Sequence, residues 1–298
     1  MNPVALFFAS GDSLYAGSVL LLLSVAIPPT VKRRSVLQVR NVIAWLALLA
    51  MVMACPPFGW TVDVIFVAVF ILWYLAANWA ERHYLAARWR AATATVLVLL
   101  AVGLSASELR HRAMPRITAA AGDHLVVIGD SISAGLGGSG QAWTVVFQKM
   151  TGVPVKNLAQ PGARAIDGLA MAEKLTAEDR MVVIELGGND LLDDAPSAQF
   201  ARDMENLVAK VVAPGRTVLM FELPLLPHKI GFGRVQRRVV AEHGIFLIPK
   251  HCFTAVLSGV DATSDGLHLS KPGAEHMAAL MAKVVSPVLK SRITSAKT

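Results

Sequence analysis

A serine, and far downstream a histidine with an aspartate three residues before it, are the side chains whose types and spacing suit chemistry. Ser131 closes the run His124-Leu125-Val126-Val127-Ile128-Gly129-Asp130-Ser131, where apolar residues stop abruptly at Gly-Asp-Ser. Such a run reads as a buried strand ending in a tight turn, and α/β sheets place their ligands at the carboxyl ends of strands. A serine there is a candidate nucleophile. The competing role is a helix cap, shared with Asp130. Asp265 and His268 lie in Asp265-Gly266-Leu267-His268. A base that takes a serine proton needs one free ring nitrogen. A carboxylate on the other nitrogen fixes that tautomer and stabilises the imidazolium that forms. Asp and His on one short turn can make this contact locally. The competing role is an exposed loop histidine beside a turn aspartate.

The Ser131 segment resembles the first block of the SGNH, or GDSL, hydrolase family. The later blocks follow in order: Gly162 in Gln160-Pro161-Gly162-Ala163, then Gly187-Gly188-Asn189-Asp190, then Asp265-Gly266-Leu267-His268. The resemblance spans residues 123–290 and is closest to the small bacterial thioesterase, arylesterase and lysophospholipase members. It implies a flavodoxin-like, three-layer α/β domain and a serine hydrolase acting on ester bonds without a cofactor. Ser131 is then the nucleophile, His268 the base and Asp265 the residue that orients His268. The oxyanion hole implied is the backbone N–H of Ser131, the backbone N–H of Gly162 and the side-chain amide of Asn189. On residue type alone, Gly162 turns the chain after Pro161, and Asn189-Asp190 caps a helix.

Two further motifs are rivals. Gly11-Asp12-Ser13-Leu14 copies the family's name motif, but no strand precedes it and it lies in or beside an apolar segment. It is rejected as a site. Gly135-Leu136-Gly137-Gly138-Ser139-Gly140 satisfies a dinucleotide pattern. It does not open directly from a strand, and position 160 is Gln rather than an acid. It reads as a rim beside the cleft. No His/Cys/Asp cluster has metal spacing, so neither metal nor cofactor is expected.

These residues need a scaffold of short strands alternating with helices. Strands are expected at His124–Ile128, Val153–Leu158, Met181–Leu186, Thr217–Glu222 and Ile245–Ile248. Helices are expected at Trp143–Thr151, Ala165–Lys174, Ser197–Val212, Gly233–His243 and Lys271–Leu289. The alternation predicts a five-stranded parallel sheet covered on both faces, in the order 2-1-3-4-5. This domain occupies 123–290, after a linker at 106–122 and before a flexible tail at 291–298.

The first third is different in kind. The 298-residue chain is 54% hydrophobic and only 16% charged, and the apolar excess lies before residue 105. About four transmembrane helices are expected in residues 1–105 and just beyond: 4–27, 42–57, 62–79 and 91–107. A cleaved signal peptide fits poorly, because no positive charge precedes the first apolar run. Residues 29–116 hold ten Lys or Arg against three acids, whereas 117–298 hold eighteen against seventeen. The net +7 therefore sits between apolar segments as a topology signal, and no basic stripe suits nucleic acid. The basic loops 30–41 and 80–90 are expected in the cytoplasm, with everything after 105 outside. Arg110, Arg112 and Arg116 run against this and are read as meeting lipid head groups from outside. Cys55 and Cys252 have no metal spacing and read as packed thiols.

The expected protein is an inner-membrane, multi-pass serine esterase with a periplasmic catalytic domain. Its partners are an acyl ester or lipid-like substrate and membrane lipids. The alternatives are an acyltransferase or deacetylase of an envelope glycan, using the same residues, and a non-catalytic membrane-attached binding module.

Overall fold

The computed structural model describes residues 3–28, 33–54, 57–79, 84–117, 122–136, 141–225 and 227–295. Outside them lie Cys55, the Gly137–Gly140 part of the glycine run, and parts of both basic loops. The chain divides into two compact units. One consists mainly of Phe7–Arg112, the other mainly of Ala113–Leu225 and Gly231–Thr298.

The N-terminal region is helical: α1 (Pro3–Ala9), divided between the two units at Leu6, then α2 (Asp12–Ala26), α3 (Arg34–Val52), α4 (Trp60–Trp79) and α5 (Tyr84–Leu109), followed by a 3-10 turn at Arg110–Arg112. Among the described residues, three segments are long and apolar enough to cross a membrane: Arg34–Val52, Trp60–Trp79 and Ala87–Arg112. The expected single helix over 4–27 is instead two helices bent by 84°, so the count rises to four only if this pair makes one span. The bend is built by Ser10 and Gly11. Gly11 adopts a left-handed φ of 81°. Ser10 Oγ donates to Phe7 O at 3.0 Å and accepts from Asp12 N at 3.1 Å. Gly11-Asp12-Ser13 thus starts a helix and follows no strand. The fourth helix reaches beyond the expected 91–107 at both ends and enters the stretch read as a linker.

Side chains in this unit are sorted in the sense expected of lipid-exposed helices. Ser13, Ser18, Ser24, Ala44, Ala47 and Ala101 are buried, while Leu23, Leu49, Leu72 and Leu99 are exposed. Small residues let helices approach closely when lipid, not water, surrounds them. Ser18 and Ser105 hydroxyls bond at 2.9 Å, tying α2 to α5. Arg112 pairs with Asp12 at 2.7 Å and lies over the Tyr15 ring, so this cation is matched within its own unit.

The second unit carries strands β1 (Leu125–Gly129), β2 (Val155–Asn157), β3 (Met181–Glu185), β4 (Thr217–Phe221) and β5 (Phe246–Ile248). All pairs are parallel and the order is β2-β1-β3-β4-β5. The three central strands are buried at every position, and the two edge strands are partly exposed. That explains their unbroken apolar runs, since a parallel sheet is covered on both faces. The register pairs Gly129 with Glu185 at the carboxyl ends of β1 and β3.

The helices are α6 (Ser131–Ala134), α7 (Trp143–Thr151), α8 (Gly168–Ala172), α9 (Gly188–Leu192), α10 (Ser197–Val211), α11 (Ile230–His243), α12 (Lys250–Ser258) and α13 (Lys271–Ser295). The stretch expected as one helix over Ala165–Lys174 is a 3-10 turn, Ala165–Asp167, followed by α8. The closing helix runs to Ser295, into the stretch expected as a tail. Helix α12 was not anticipated, although Phe253, Val256 and Leu257 have helical spacing behind Pro249 and are buried.

Trp143 and Phe147 of α7 are fully buried in the core with Val127, Val183 and Met277. Phe147→Ala should cost about 3–5 kcal/mol of stability. Fluorescence-detected thermal unfolding of the full-length protein in detergent measures it. An unchanged midpoint would contradict this core.

Candidate active site

Each candidate side chain sits on a connection leaving the carboxyl edge of the sheet or on the loop entering α13. Ser131 is the first residue of α6, directly after β1 and Asp130, and is 7% exposed. The cap role belongs to Asp130: its Oδ1 accepts from Ile132 N at 2.9 Å. The Ser131 hydroxyl is therefore not needed for capping. Gly135 closes α6 by donating to Ser131 O at 3.1 Å, so the described start of the glycine run serves as a helix C-cap.

Asp265 and His268 meet as their spacing predicts. His268 Nδ1 and Asp265 Oδ2 are 2.6 Å apart. Asp265 Oδ1 also accepts from the backbone N–H groups of Leu267 and His268, at 2.9 and 2.8 Å. The bond to His268 and these two backbone donors hold the Asp265 carboxyl well below the usual carboxylate range. With Asp265 on Nδ1, Nε2 is left as the proton acceptor. Among the described residues no hydrogen bond joins Ser131 to His268. His268 lies within electrostatic reach of Asp130, the residue before Ser131. Catalytic bonds are often long in unliganded sites and tighten with substrate.

Gly162 lies in the turn after β2, with φ 73°. Asn189 lies in α9, after β3. Its Nδ2 donates to Ala163 O at 2.9 Å and reaches toward Asp130 Oδ2 at 3.4 Å. The next residue, Asp190, accepts from Ala165 N at 2.9 Å. Asn189 and Asp190 thus pin the residues that follow Gly162 in its loop. Asp190 was read as a helix cap; its hydrogen bond to that loop ties the α9 segment to it. Burial pushes its carboxyl up.

One functional candidate was missed. Glu185 ends the otherwise apolar strand Met181-Val182-Val183-Ile184-Glu185 and is buried. Its Oε2 accepts from Ser133 Oγ at 2.8 Å, and Ser133 Oγ accepts from Trp143 Nε1 at 3.0 Å. Its neighbour in register is Gly129. A Cβ there would stand 2.8 Å from Ser133 Cβ and 3.1 Å from Glu185 Oε2, so glycine makes the room. The Asp130 and Glu185 carboxyls act on each other electrostatically. Burial and the Asp130 charge push Glu185 well up, and burial pushes Asp130 up to about 6. The signal available in the sequence was an ionisable residue closing a buried strand. Among the described residues no group of three or more His, Cys, Asp or Glu is placed to hold a metal ion.

The sequence model of the GDSL-like lipase/acylhydrolase family matches residues 127–276. "Esterase TesA" of Pseudomonas aeruginosa is 35% identical over 164 residues, covering 50% of this chain and 81% of that protein. "Thioesterase 1/protease 1/lysophospholipase L1" of Escherichia coli K12 is 28% identical over 182 residues, covering 57% and 87%. A crystal structure of TesA aligns with a TM-score of 0.49 at 31% identity, covering 55% of this chain and 99% of that one.

An amide that donates to a developing oxyanion is worth roughly 10²–10³ in rate. Asn189→Ala should lower kcat on p-nitrophenyl acetate by about that factor while the protein stays folded. Wild-type kcat in the folded variant would remove Asn189 from the site.

Proposed function

Since the chain belongs to the GDSL-like lipase/acylhydrolase family and hydrolyses ester bonds, we propose that Ser131, His268 and Asp265 do this through an acyl-enzyme. Ser131 Oγ attacks the carbonyl carbon of the ester. His268 Nε2 takes the hydroxyl proton as the C–O bond forms. Asp265 on Nδ1 holds the ring and balances the imidazolium. The carbonyl oxygen becomes an oxyanion, which accepts from the N–H of Ser131, the N–H of Gly162 and the amide of Asn189. His268 gives its proton to the leaving alcohol or thiol as that bond breaks. Water, deprotonated by the same imidazole, then releases the acid and restores Ser131. The observation that carries this reading is the 2.6 Å contact of His268 Nδ1 with Asp265 Oδ2.

The substrates proposed are acyl esters and thioesters, lysophospholipids among them. The names of the relatives support this class. So do the apolar helices, which would hold the catalytic unit at a lipid surface. The setting proposed is a bacterial inner membrane with the catalytic unit on the periplasmic side. Arg33, Arg34 and Arg88 flank the spans at one end and mark the cytoplasmic side. Helices α3, α4 and α5 cross three times from there, so the unit after Arg112 lies outside whether or not α1 and α2 cross.

Two experiments test this. Purified full-length protein should hydrolyse p-nitrophenyl esters, with Ser131→Ala reducing kcat by at least about 10³, and activity on esters from acetate to palmitate reads the acyl preference. A folded Ser131→Ala with wild-type kcat would overturn the mechanism. Alkaline phosphatase fused after Arg112 should be active in cells, and inactive when inserted between residues 80 and 83. The reverse pattern would overturn the topology.

A further inference from the structure

The amino edge of the sheet, opposite the edge that carries Ser131, holds a second charged cluster. His124, the residue before β1, is bonded at both ring nitrogens. Nε2 lies 2.7 Å from Asp179 Oδ1, and Nδ1 lies 2.8 Å from Asp123 Oδ1. Asp179 stands just before β3 with its side chain buried, whereas Asp123 is exposed. The second oxygen of Asp179 accepts from Lys156 Nζ of β2 at 2.8 Å and from Thr176 N at 2.7 Å. Arg216, just before β4, donates from Nε to Asp179 O at 2.7 Å and from a terminal nitrogen to Thr176 O at 2.6 Å. The starts of β1, β3 and β4 and a lysine of β2 therefore meet around one aspartate. Burial would raise the Asp179 carboxyl, but the bonds from His124, Lys156 and Thr176 N–H outweigh it and hold that carboxyl well below the usual carboxylate range.

The two bonds of His124 fix its charge. A carboxylate can only accept, so a ring bonded to one at each nitrogen must carry a proton on both. A neutral ring has a single N–H and makes a single such bond. The bonds to Asp179 and Asp123 outweigh burial and raise the ring above its ordinary pKa. The charged side chains gathered here are Asp123 on the ring's own segment, Asp179 before β3, Lys156 on β2 and Arg216 before β4, with Arg180 beside Gly122. We propose that His124 is a proton-operated clasp. As an imidazolium it fastens Asp123, where the chain enters β1, to Asp179, where it enters β3. As a neutral ring it keeps one of these bonds and gives up the other. The bond kept is the one to Asp179, because a buried acceptor is costly to leave short of a donor. Nδ1 then turns a lone pair to Asp123, and that exposed carboxylate swings away into water. The clasp therefore ties the catalytic unit most firmly in mildly acidic surroundings, and it uses no residue of the ester chemistry.

The sign of the pH dependence follows from linkage. A group whose folded pKa is raised contributes its full stability below its unfolded value, about 6.5 for histidine, and loses it as pH rises through the folded value. The test is the calorimetric unfolding midpoint of full-length protein in detergent, between pH 5.5 and 9, for wild type, His124→Gln and Asp123→Asn. Glutamine keeps a neutral donor and cannot take up the proton, so the difference from wild type isolates the charge of His124. Wild type should exceed H124Q by about 4 °C at pH 5.5 and by about 1 °C or less at pH 9, the span expected of roughly 1 kcal/mol in a domain of this size. D123N should lie below wild type at pH 5.5 and level with it at pH 9. Adding H124Q to D123N should then cost less at pH 5.5 than H124Q costs alone, because the two residues share one bond. A margin for H124Q that is the same at every pH, or that grows with pH, would overturn the clasp. So would D123N as stable as wild type at pH 5.5. If H124Q does not fold, D123N decides alone, since Asp123 is exposed and its loss leaves the Asp179 cluster in place.

Discussion

Glu185 ends β3 and Asp130 follows β1, and the hydrogen bonds of the site are arranged around these two buried carboxyls. Carboxyls buried at the edge of a parallel sheet are costly to leave unpaired, so each takes fixed donors. Each of those donors is itself part of the site. Ile132 N–H begins the helix that Ser131 heads. Ser133 brings in Trp143 from the core. Asn189 ties the pair to the loop of Gly162 through Ala163 O. Moving the carboxyls would therefore move the Ser131 turn, Asn189 and the loop of Gly162 together.

His268 and Asp265 are built on another principle. They come from one short turn before α13, with Asp265 accepting from two backbone N–H groups as well as from the ring. This dyad is half-exposed and needs no buried partner to hold its geometry. The unit thus joins a buried half that carries Ser131, Gly162 and Asn189 to a more exposed half that carries the pair proposed to move the proton. In the helical unit the sorting differs: several serines and alanines are buried beside an apolar core, while many leucines and valines are exposed.

Most of this was legible in the residues, for identifiable reasons. Buried central strands must be apolar throughout, so β1, β3 and β4 stand out within a residue of their bounds. Asp265 and His268 are three apart, so their contact is local and needs no knowledge of the fold. The expectations that differed were also local in origin. The helix expected over 4–27 is broken by a backbone choice at Ser10-Gly11 that hydropathy does not report. Helix α12 is short and polar at its start, and strand-centred reading passed over it. Glu185 was missed because its meaning depends on register: only pairing β1 with β3 sets it beside Gly129 and Asp130. Asp190 was read as a cap, because its bond to Ala165 spans two loops that the sequence does not show to be adjacent.

The chain carries Gly-Asp-Ser twice, at the head of α2 and at the end of β1, and chemistry is assigned to the second alone. The most direct test is to treat the full-length protein with a fluorophosphonate and map the adduct by peptide mass spectrometry. One adduct, on the peptide containing Ser131, with Ser13 unmodified, is the predicted result. An adduct on Ser13 or another serine, with Ser131 unmodified in an active protein, would contradict the account.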